Sequence, residues 1–343
     1  MTFTIEHVAA LARVSRSTVS RVINNQPGVR RAVRERVLQV MREQHFTPHA
    51  AARSLAGSRT GTIGLVISRQ TSESLADVLN PFISSLIEAV CETTMQQDFG
   101  AMVVLLTTGR EARVYDRMLR GHHFDGMILI STDVDDPILP VLIKDGGPLV
   151  LIGRHPYFQD VTYVDFENRE WARVAVAHLV GLGHRRIAVV NGTLQSEAGQ
   201  ARRNGYQQAL LEAGIPISDE LIVDGFYSDW AGYEATLRLL DLADPPTAIF
   251  AANDAMASGA LRAIAQRRLR VPQDIAVVGF DDVPQAGRAS PPLTTVHQPA
   301  ETIGAAAVKL VLERMNQPGQ VAQVRVPGHL VVRDSSGATA AAP

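Results

Sequence analysis

From residue 61 onward, short apolar runs rich in Val and Ile alternate with longer stretches of helical periodicity. The apolar runs lie at 63–67, 102–106, 127–130, 149–152, 187–190, 248–251 and 275–278, and the helical patterns at 81–97, 171–182, 201–213, 232–240 and 255–267. Buried strands separated by helices are typical of parallel sheets with right-handed crossovers. About ten such units are too many for one compact sheet. The pattern therefore favours two Rossmann-like halves.

Charge is divided unevenly along the chain, although the total is only −2. Residues 1–60 contain ten arginines and three glutamates, and the other 23 basic and 32 acidic residues follow them. A basic head on an acidic body indicates a polyanionic partner for the head alone. The alternative is that these arginines only keep surface helices solvated.

The head has the pattern of a helix-turn-helix. One short helix fits the apolar positions Ile5, Val8, Ala9 and Leu11, and a second fits Val14, Val19, Val22 and Ile23. Residues 12–14 are short enough to form the turn, and the Ser15 hydroxyl can cap the second helix on the backbone N–H of Ser17 or Thr18. A third helix over 30–46 closes the predicted core with Val33, Val37, Leu38, Val40, Met41 and Phe46.

The second helix of the head carries the candidate DNA-reading side chains. Arg16, Ser17, Ser20 and Arg21 share its polar face near the N-terminal end, which is the part that reaches base edges in the major groove. Arg offers a bidentate fork to guanine, and Ser can bond to bases or phosphates.

Several classes of protein lack support in this sequence. No apolar stretch approaches the roughly 18 residues of a membrane span, and the N-terminus lacks the pattern of a secretory signal, so we expect a cytoplasmic protein. The single cysteine, Cys91, excludes a disulfide framework. His122, His123 and His178 have no matching carboxylate or cysteine spacing, so we predict no metal site, and we predict no cofactor. No nucleophile elbow, P-loop or HExxH motif is present, so we do not expect an enzyme.

The sequence strongly resembles the LacI family of transcriptional regulators. The resemblance rests on "TIEHVAALARVSRSTVSRVINN", "VRERVLQVMRE" and "TPHAAARSLAG" in the head, and on "GTIGLVI", "DGMILIS", "LGHRRIAVVNG", "FAANDAMASGALRAI", "IAVVGFDD" and "PPLTTVHQP" downstream. It extends to about Ser335. The pair Arg16-Ser17 occupies the position that mainly sets operator preference in the family. Arg30 stands where a Ser or Thr cap is usual, which suggests a phosphate contact or a poorly capped helix.

The segment "HAAARSLAG" at 49–57 is too short to be a stable helix alone. The resemblance implies a hinge helix that pairs with its counterpart from a second subunit at the operator's centre. Ala52 and Leu55 share one face, Leu55 would wedge into the central base step from the minor groove, and Arg53 and His49 would contact phosphates or groove edges. The alternative is an ordinary linker helix docked on the body. Altogether we predict DNA contacts from Thr4, Ser15, Arg16, Ser17, Ser20, Arg21, Asn24, Arg30, His49, Ala52, Arg53 and Leu55.

The implied architecture is an all-α helix-turn-helix head and hinge helix, followed by an α/β body of the periplasmic-binding-protein type I fold with two Rossmann-like subdomains. We predict a DNA-binding domain at 1–47, a hinge and linker at 48–60, an effector-binding and dimerisation body at 61–335 and a flexible tail at 336–343. Within the body we assign 61–160 and 292–320 to the first subdomain, and 161–291 and 321–335 to the second.

Polar residues at strand ends are candidates for a ligand site, because ligands in such sheets bind beyond the carboxyl ends of strands. Asn253-Asp254 and Asp281-Asp282 each follow a predicted strand, although either pair could instead cap the next helix. The resemblance implies that Asp281 and Arg202 meet in a cleft between the subdomains, joined by Asn253 and Gln298. It also implies that the rings of Tyr227 and Phe82 line the cleft, although both could be core residues. The polar segment 68–80 leaves that wall of the cleft undetermined.

We therefore predict a ligand-responsive transcriptional regulator, most simply a repressor that binds a near-palindromic operator as a homodimer. The predicted effector is a carbohydrate, with a purine or a phosphorylated metabolite as the alternative. A solute-binding receptor without a DNA function would have an export signal and no basic head. A non-specific architectural DNA-binding protein would bind operator and random DNA equally.

Overall fold

The computed structural model describes residues 3–23, 26–44, 46, 59–69, 80–107, 123–130 and 133–337. The chain divides into two compact units, residues 1–62 with 117–125, and residues 63–116 with 126–343. Within these described ranges, no helix is long and apolar enough to cross a membrane.

The described part of the head contains three helices, α1 (Ile5–Ala12), α2 (Arg16–Ile23) and α3 (Arg31–Glu43). Their shared core consists of Val8, Ala9, Ala12, Val19, Val22 and Val37, as the apolar spacing predicts for most of them. Two predicted core residues are wrong: Leu11 is 53% exposed and Leu38 is 36% exposed. Short helices that cross at an angle bury only the positions nearest the crossing, and the sequence period alone does not locate that crossing.

The turn between α1 and α2 forms as the sequence predicts. Arg13 adopts the left-handed conformation with φ of 52°, and the Ser15 hydroxyl accepts a hydrogen bond from the Thr18 backbone N–H at 3.2 Å. Two arginines of α3 donate hydrogen bonds to backbone carbonyls elsewhere in the head. Arg34 donates to the Gln26 carbonyl at 2.8 Å and Arg36 to the Ala12 carbonyl at 2.9 Å.

The body has two six-stranded sheets. Among the described residues, the strands are β1 (Thr62–Arg69), β2 (Gly100–Thr107), β3 (Gly126–Ile130), β4 (Leu149–Ile152), β5 (Tyr163–Phe166), β6 (Ile187–Asn191), β7 (Ile222–Asp224), β8 (Ala248–Ala251), β9 (Ala276–Asp281), β10 (Thr294–His297), β11 (Gln323–Val326) and β12 (His329–Val331). The first sheet has the strand order β11-β5-β4-β3-β1-β2 and the second β12-β10-β9-β8-β6-β7. Strand β12 runs antiparallel to β10, whereas β6, β8, β9 and β10 run parallel.

Among the described residues of the body, seven helices accompany these strands: α4 (Pro81–Gln96), α5 (Ile138–Asp145), α6 (Asn168–Gly181), α7 (Glu197–Glu212), α8 (Asp229–Leu240), α9 (Asp254–Gln266) and α10 (Ala300–Asn316). We call the first sheet with α4, α5 and α10 lobe one, and the second sheet with α6 to α9 lobe two. All seven apolar runs form strands and all five helical patterns form helices, so the two-sheet prediction is confirmed.

The predicted subdomain boundaries are wrong at three strands. Strand β5, expected in the second subdomain, joins the first sheet; β10, expected in the first, joins the second sheet; and β11, expected in the second, joins the first. The chain thus crosses between lobes after Phe166, after His297 and after Val326. An apolar run predicts a strand but does not say which sheet accepts it, because both sheets offer equivalent edges for pairing.

The predicted start of the tail at residue 336 is also wrong. Residues Asp334–Ser336 form a 3₁₀ turn in which Ser335 and Ser336 are buried. The Ser335 hydroxyl accepts from the Thr294 backbone N–H at 2.8 Å and donates to the Val277 carbonyl at 2.6 Å. The body therefore continues through this turn, because the Ser335 hydroxyl bonds to backbone groups of the second sheet.

The close contact between α6 and α7 positions the buried face of α7, which includes Arg202. Gly205 makes the approach possible, since a Cβ there would lie 2.2 Å from the Arg169 carbonyl oxygen and 2.9 Å from the Ala172 side chain. We expect Gly205→Ala to lower the free energy of unfolding by about 1–3 kcal/mol, although Ala favours helix over Gly. Chemical denaturation of the full chain measures this.

The matched control is Asn204→Ala, at the neighbouring exposed position of α7. It raises helix propensity without a contact to lose, so stability should stay equal or rise slightly. A Gly205→Ala variant as stable as wild type would show that the two helices do not need this close approach.

Candidate functional site

The N-terminal part of α2 presents a polar face to solvent. Arg16, Ser17 and Arg21 are exposed and Ser20 is half-buried. The Nε of Arg16 lies 3.4 Å from Glu6 Oε1, with the two side chains 73% and 58% exposed. Ion pairs this exposed contribute little stability. Arg16 can therefore exchange Glu6 for a stronger acceptor at small cost.

The N-terminus of α3 lies open beside Arg30. Arg30 is exposed and makes no side-chain hydrogen bond that caps the helix, which confirms the unusual cap expected from the sequence. The first N–H groups of a helix without a cap, together with its dipole, favour an anion. At the start of α1, by contrast, the Thr4 hydroxyl lies 3.1 Å from His7 Nδ1 and the Thr4 backbone N–H donates to the same atom at 3.0 Å.

Five of the predicted DNA contacts lie outside the described residues, and nothing further is said of their placement: Asn24, His49, Ala52, Arg53 and Leu55. Ser15 is described and is occupied by the cap of α2 and by the hydroxyls of Ser17 and Thr18 at 2.8 and 2.9 Å. Ser15 thus shapes the start of α2, and its predicted DNA contact depends on a hydroxyl that already has partners.

A cavity of about 810 Å³ lies in the body and is lined by residues of both lobes. All six residues expected in the cleft line it: Phe82, Arg202, Tyr227, Asn253, Asp281 and Gln298. The structure therefore brings together side chains that lie up to 216 positions apart in the sequence. Its size is within the usual range for sites that bind small molecules.

Arg202 is the most heavily bonded side chain of the cavity and is only 5% exposed. Its Nε donates to Asn168 Oδ1 at 2.8 Å, one terminal nitrogen donates to Gln298 Oε1 at 3.0 Å, and the other donates to the Ala252 carbonyl. Its guanidinium carbon lies 3.8 Å from the centre of the Phe280 ring. These contacts fix the cation by hydrogen bonds and a cation–π contact.

Asp281 lies next to this cation without a full partner. Its Oδ1 is 3.6 Å from Arg202 Nη1 and has no hydrogen-bond partner among the described residues. Burial raises the pKa of Asp281 to about 7 against the lowering effect of Arg202. Burial and then the charge of Asp281 raise the pKa of Asp254 well above its usual range. The expected pair of carboxylate and guanidinium is present, but this acid still lacks a hydrogen-bond donor.

Asn253 lines the cavity but serves mainly to build it. Its Oδ1 accepts from the Met256 N–H at 2.9 Å, which caps α9, and its Nδ2 donates to the Tyr227 carbonyl at 3.2 Å. Asn253 therefore caps the next helix, which is the alternative that the sequence left open, and both of its polar atoms have partners within the protein. The Tyr227 hydroxyl lies 3.3 Å from Ser196 Oγ.

Glycine at 192 leaves room for the Tyr227 ring. A Cβ at Gly192 would lie 2.1 Å from Cζ of the ring, so any other residue there would displace the tyrosine. Tyr227 and Asp281 also have positive φ angles of 61° and 114°, which L residues adopt rarely. Backbone outliers cluster at functional sites, and three of them line this cavity, because Phe226 has a φ of 50° and lies there as well.

The polar lining residues that sequence reasoning missed include Asn168, Arg154, Asp165 and Glu197. Asp165 interrupts the buried strand β5, and an acid within an apolar strand is a signal that could have identified it. Arg154, Asn168 and Glu197 stand at ordinary loop and helix-start positions, and no local pattern marks them.

Acidic residues outnumber basic ones along the described lining. The carboxylates are those of Asp165, Glu197, Asp224, Glu234 and Asp281, and the guanidinium groups those of Arg154, Arg202 and Arg238. Because opposite charges balance only in part, the described lining attracts donors and repels anions.

No cluster of three or more metal-binding side chains occurs among the residues that the structure places. His178, one of the histidines considered in the sequence, instead lies 3.0 Å from the Ser336 hydroxyl through its Nε2. Burial lowers the pKa of His178. This histidine therefore belongs to the packing of the C-terminal turn against α6.

Two family models match the chain: bacterial regulatory proteins of the lacI family over residues 4–49, and a periplasmic binding protein-like domain over residues 176–336. The chain is 38% identical to the HTH-type transcriptional regulator CelR of Thermobifida fusca, covering 97% of this chain and 98% of that protein. It is 35% identical to the ribose operon repressor of Escherichia coli K12, covering 92% and 94%.

Solved structures agree with these matches. A complex of the transcriptional regulator CelR with cellobiose has a TM-score of 0.75 at 36% identity, covering 97% of this chain and 100% of that one. The lac repressor dimer bound to operator and the anti-inducer ONPF has a TM-score of 0.84 at 31% identity, covering 98% and 100%. The three-helix head, the two-lobed body and these likenesses over nearly the whole length agree: the chain belongs to the LacI family of bacterial regulatory proteins.

Proposed function

We propose that this protein is a repressor that binds a near-palindromic operator as a homodimer and releases or retains it according to a neutral carbohydrate bound in the cavity. The observation that carries the proposal is the buried Arg202 beside Asp281, whose Oδ1 has no hydrogen-bond donor among the described residues, in a described lining that has more acids than bases. Binding an operator places the protein in the cytoplasm. The proposal involves no enzymatic step.

Hydroxyl groups match this cavity better than anionic groups do. A sugar hydroxyl can donate to the Asp281 carboxylate and accept from a guanidinium, and the Tyr227 ring offers a flat surface for the apolar face of a pyranose. A phosphate would bring negative charge to a lining with five carboxylates and three guanidinium groups. A purine could stack on Tyr227 and is the alternative effector.

The head is suited to reading DNA through α2. Arg16 and Ser17 open that helix and are exposed, so insertion of its N-terminal end in a major groove would bring both side chains to base edges. Arg30 and the open start of α3 can take a phosphate. Two heads related by a two-fold axis would then contact two half-sites, and a paired hinge helix with Leu55 at the centre remains part of this proposal.

The base contact of Arg16 can be tested with variants of the full-length protein and a randomised operator library at fixed salt. We expect Arg16→Ala to relax preference at one position of each half-site by about 1–3 kcal/mol. Arg42→Ala, an exposed arginine in the last turn of α3, is the control and should leave the preference unchanged. An equal loss on every sequence would mean that Arg16 contacts phosphate instead.

The effector class can be tested by thermal shift of the full-length protein with three sets of compounds. These are neutral saccharides (glucose, ribose, cellobiose and maltose), sugar phosphates, and nucleobases. We expect stabilisation by at least one neutral saccharide and none by sugar phosphates. The same saccharide should change operator affinity, measured by fluorescence anisotropy.

Arg202→Lys should abolish the saccharide response while operator affinity without saccharide stays within about threefold, because Lys keeps the charge but not the forked donors. Arg203→Ala, the neighbouring half-buried position on α7, is the control and should respond as wild type does. Stabilisation by nucleobases alone, or an Arg202→Lys variant with a normal response, would refute the carbohydrate proposal.

A further inference from the structure

A second buried acid lies in the cavity, on the wall that lobe one provides. Asp165 belongs to β5, and its side chain is 5% exposed. Its Oδ1 has no hydrogen-bond partner among the residues described. Placing a carboxylate on a strand of a buried sheet costs free energy unless a donor satisfies it. The fold alone gives no reason for an acid here, since the other three residues of β5, Tyr163, Val164 and Phe166, are buried aromatic or aliphatic side chains.

The cation nearest to Asp165 is committed to another acid. Arg154 Nε lies 2.6 Å from Glu197 Oε1 but 3.8 Å from Asp165 Oδ2. One guanidinium thus serves two carboxylates, and Glu197 has the hydrogen bond. Burial and then the charge of Glu197 raise the pKa of Asp165 to about 6, although Arg154 lowers it. Arg325, on the adjacent strand β11, is exposed and only lowers the pKa further.

This cluster spans the two lobes. Arg154 and Asp165 belong to lobe one, whereas Glu197 opens α7 of lobe two. The loop before α7 makes a second contact between the lobes, since the Val134 N–H donates to the Gln195 carbonyl at 2.7 Å. The cluster is therefore complete only when the lobes approach each other at this edge of the cavity.

The same loop also contacts Tyr227, whose ring we propose to stack on the sugar. Ser196 Oγ accepts from the Gly199 N–H at 3.0 Å, which caps α7, and lies 3.3 Å from the Tyr227 hydroxyl. A ligand beside Tyr227 thus lies next to the loop that carries Glu197. Asp165, across the cavity on lobe one, also lines the same space.

We infer that Asp165 is a specificity-determining residue, which accepts a hydrogen bond from one hydroxyl of the bound saccharide, and that Arg154 is its positioning residue. This inference rests on the proposed carbohydrate function. A ligand hydroxyl can supply the hydrogen-bond donor that Asp165 Oδ1 lacks among the described residues. Effectors without a hydroxyl at that position lose this contact, so Asp165 selects among sugars of similar size.

The test combines protein variants with altered ligands. The ligand is the saccharide of the panel above that stabilises the full-length protein most, together with its monodeoxy derivatives, and affinities come from titration calorimetry. In wild type, one derivative should bind about tenfold or more weakly through loss of the Asp165 contact, because hydrogen bonds to charged groups are the stronger ones. In Asp165→Asn, removal of that same hydroxyl should cost much less, while the other derivatives keep their wild-type ratios.

Two further variants separate a direct contact from a general effect on structure. Asp160→Asn, at an exposed acid near the same strand, should preserve every wild-type ratio. In Arg154→Lys, the affinity should depend less on that same hydroxyl, and it should not become dependent on a different hydroxyl. Wild-type ratios for all derivatives in Asp165→Asn would overturn the inference and leave the proposed function intact, whereas no response of wild type to any saccharide would overturn both.

Discussion

The buried guanidinium of Arg202 organises the body around the cavity. It binds acceptors from three separate segments, namely the start of α6 at Asn168, the end of β8 at Ala252 and the crossover before α10 at Gln298. A buried cation is stable only when such partners surround it. The start of α6, the end of β8 and the interlobe crossover before α10 therefore depend on a single side chain. A ligand that contacts this cation acts on all three segments.

Two buried acids that line the cavity, Asp281 and Asp165, differ in their hydrogen bonding from Asp282, which lies next to Asp281 in the sequence. Asp281 lies 3.6 Å from Arg202, and Asp165 lies 3.8 Å from Arg154, and the buried Oδ1 of each lacks a donor among the described residues. Asp282, the next residue after Asp281, instead pairs with Arg333 at 2.7 Å and with His297 at 3.0 Å. Sites organised for binding often sacrifice stability in this way. Because each lobe provides a carboxylate oxygen without a donor among the described residues, a ligand with several donors can bind both oxygens and draw the lobes together. A change in the arrangement of the lobes is in turn a route to changing the geometry of a dimer.

Much of this arrangement could be predicted from the sequence. Apolar runs identified seven strands, and the spacing of Val19 and Val22 identified the second helix of the head. The family resemblance identified all six expected residues of the cavity. The pairing of strands was predicted less well, because the segments that form β5, β10 and β11 carry no mark of the sheet they join. The sequence left two roles open for Asn253, a ligand group or the cap of the next helix, and only the hydrogen bond to its Oδ1 decides for the cap of α9. The contact of Arg154 with Glu197 joins residues 43 positions apart in different lobes, and no local pattern encodes such a contact.

The Asp281 carboxylate, buried beside Arg202, destabilises the folded protein until a ligand satisfies it. Thermal unfolding of Asp281→Asn and Asp282→Asn in the full-length protein at pH 8 and pH 5 tests this claim. A carboxyl with a raised pKa loses stability as pH rises from its unfolded value near 4 through about 7. Asp281→Asn should therefore be more stable than wild type at pH 8, on the order of 1 kcal/mol, and the gain should shrink at pH 5, while Asp282→Asn should be destabilised at pH 8. Loss of stability in Asp281→Asn at pH 8 equal to that in Asp282→Asn would contradict the account.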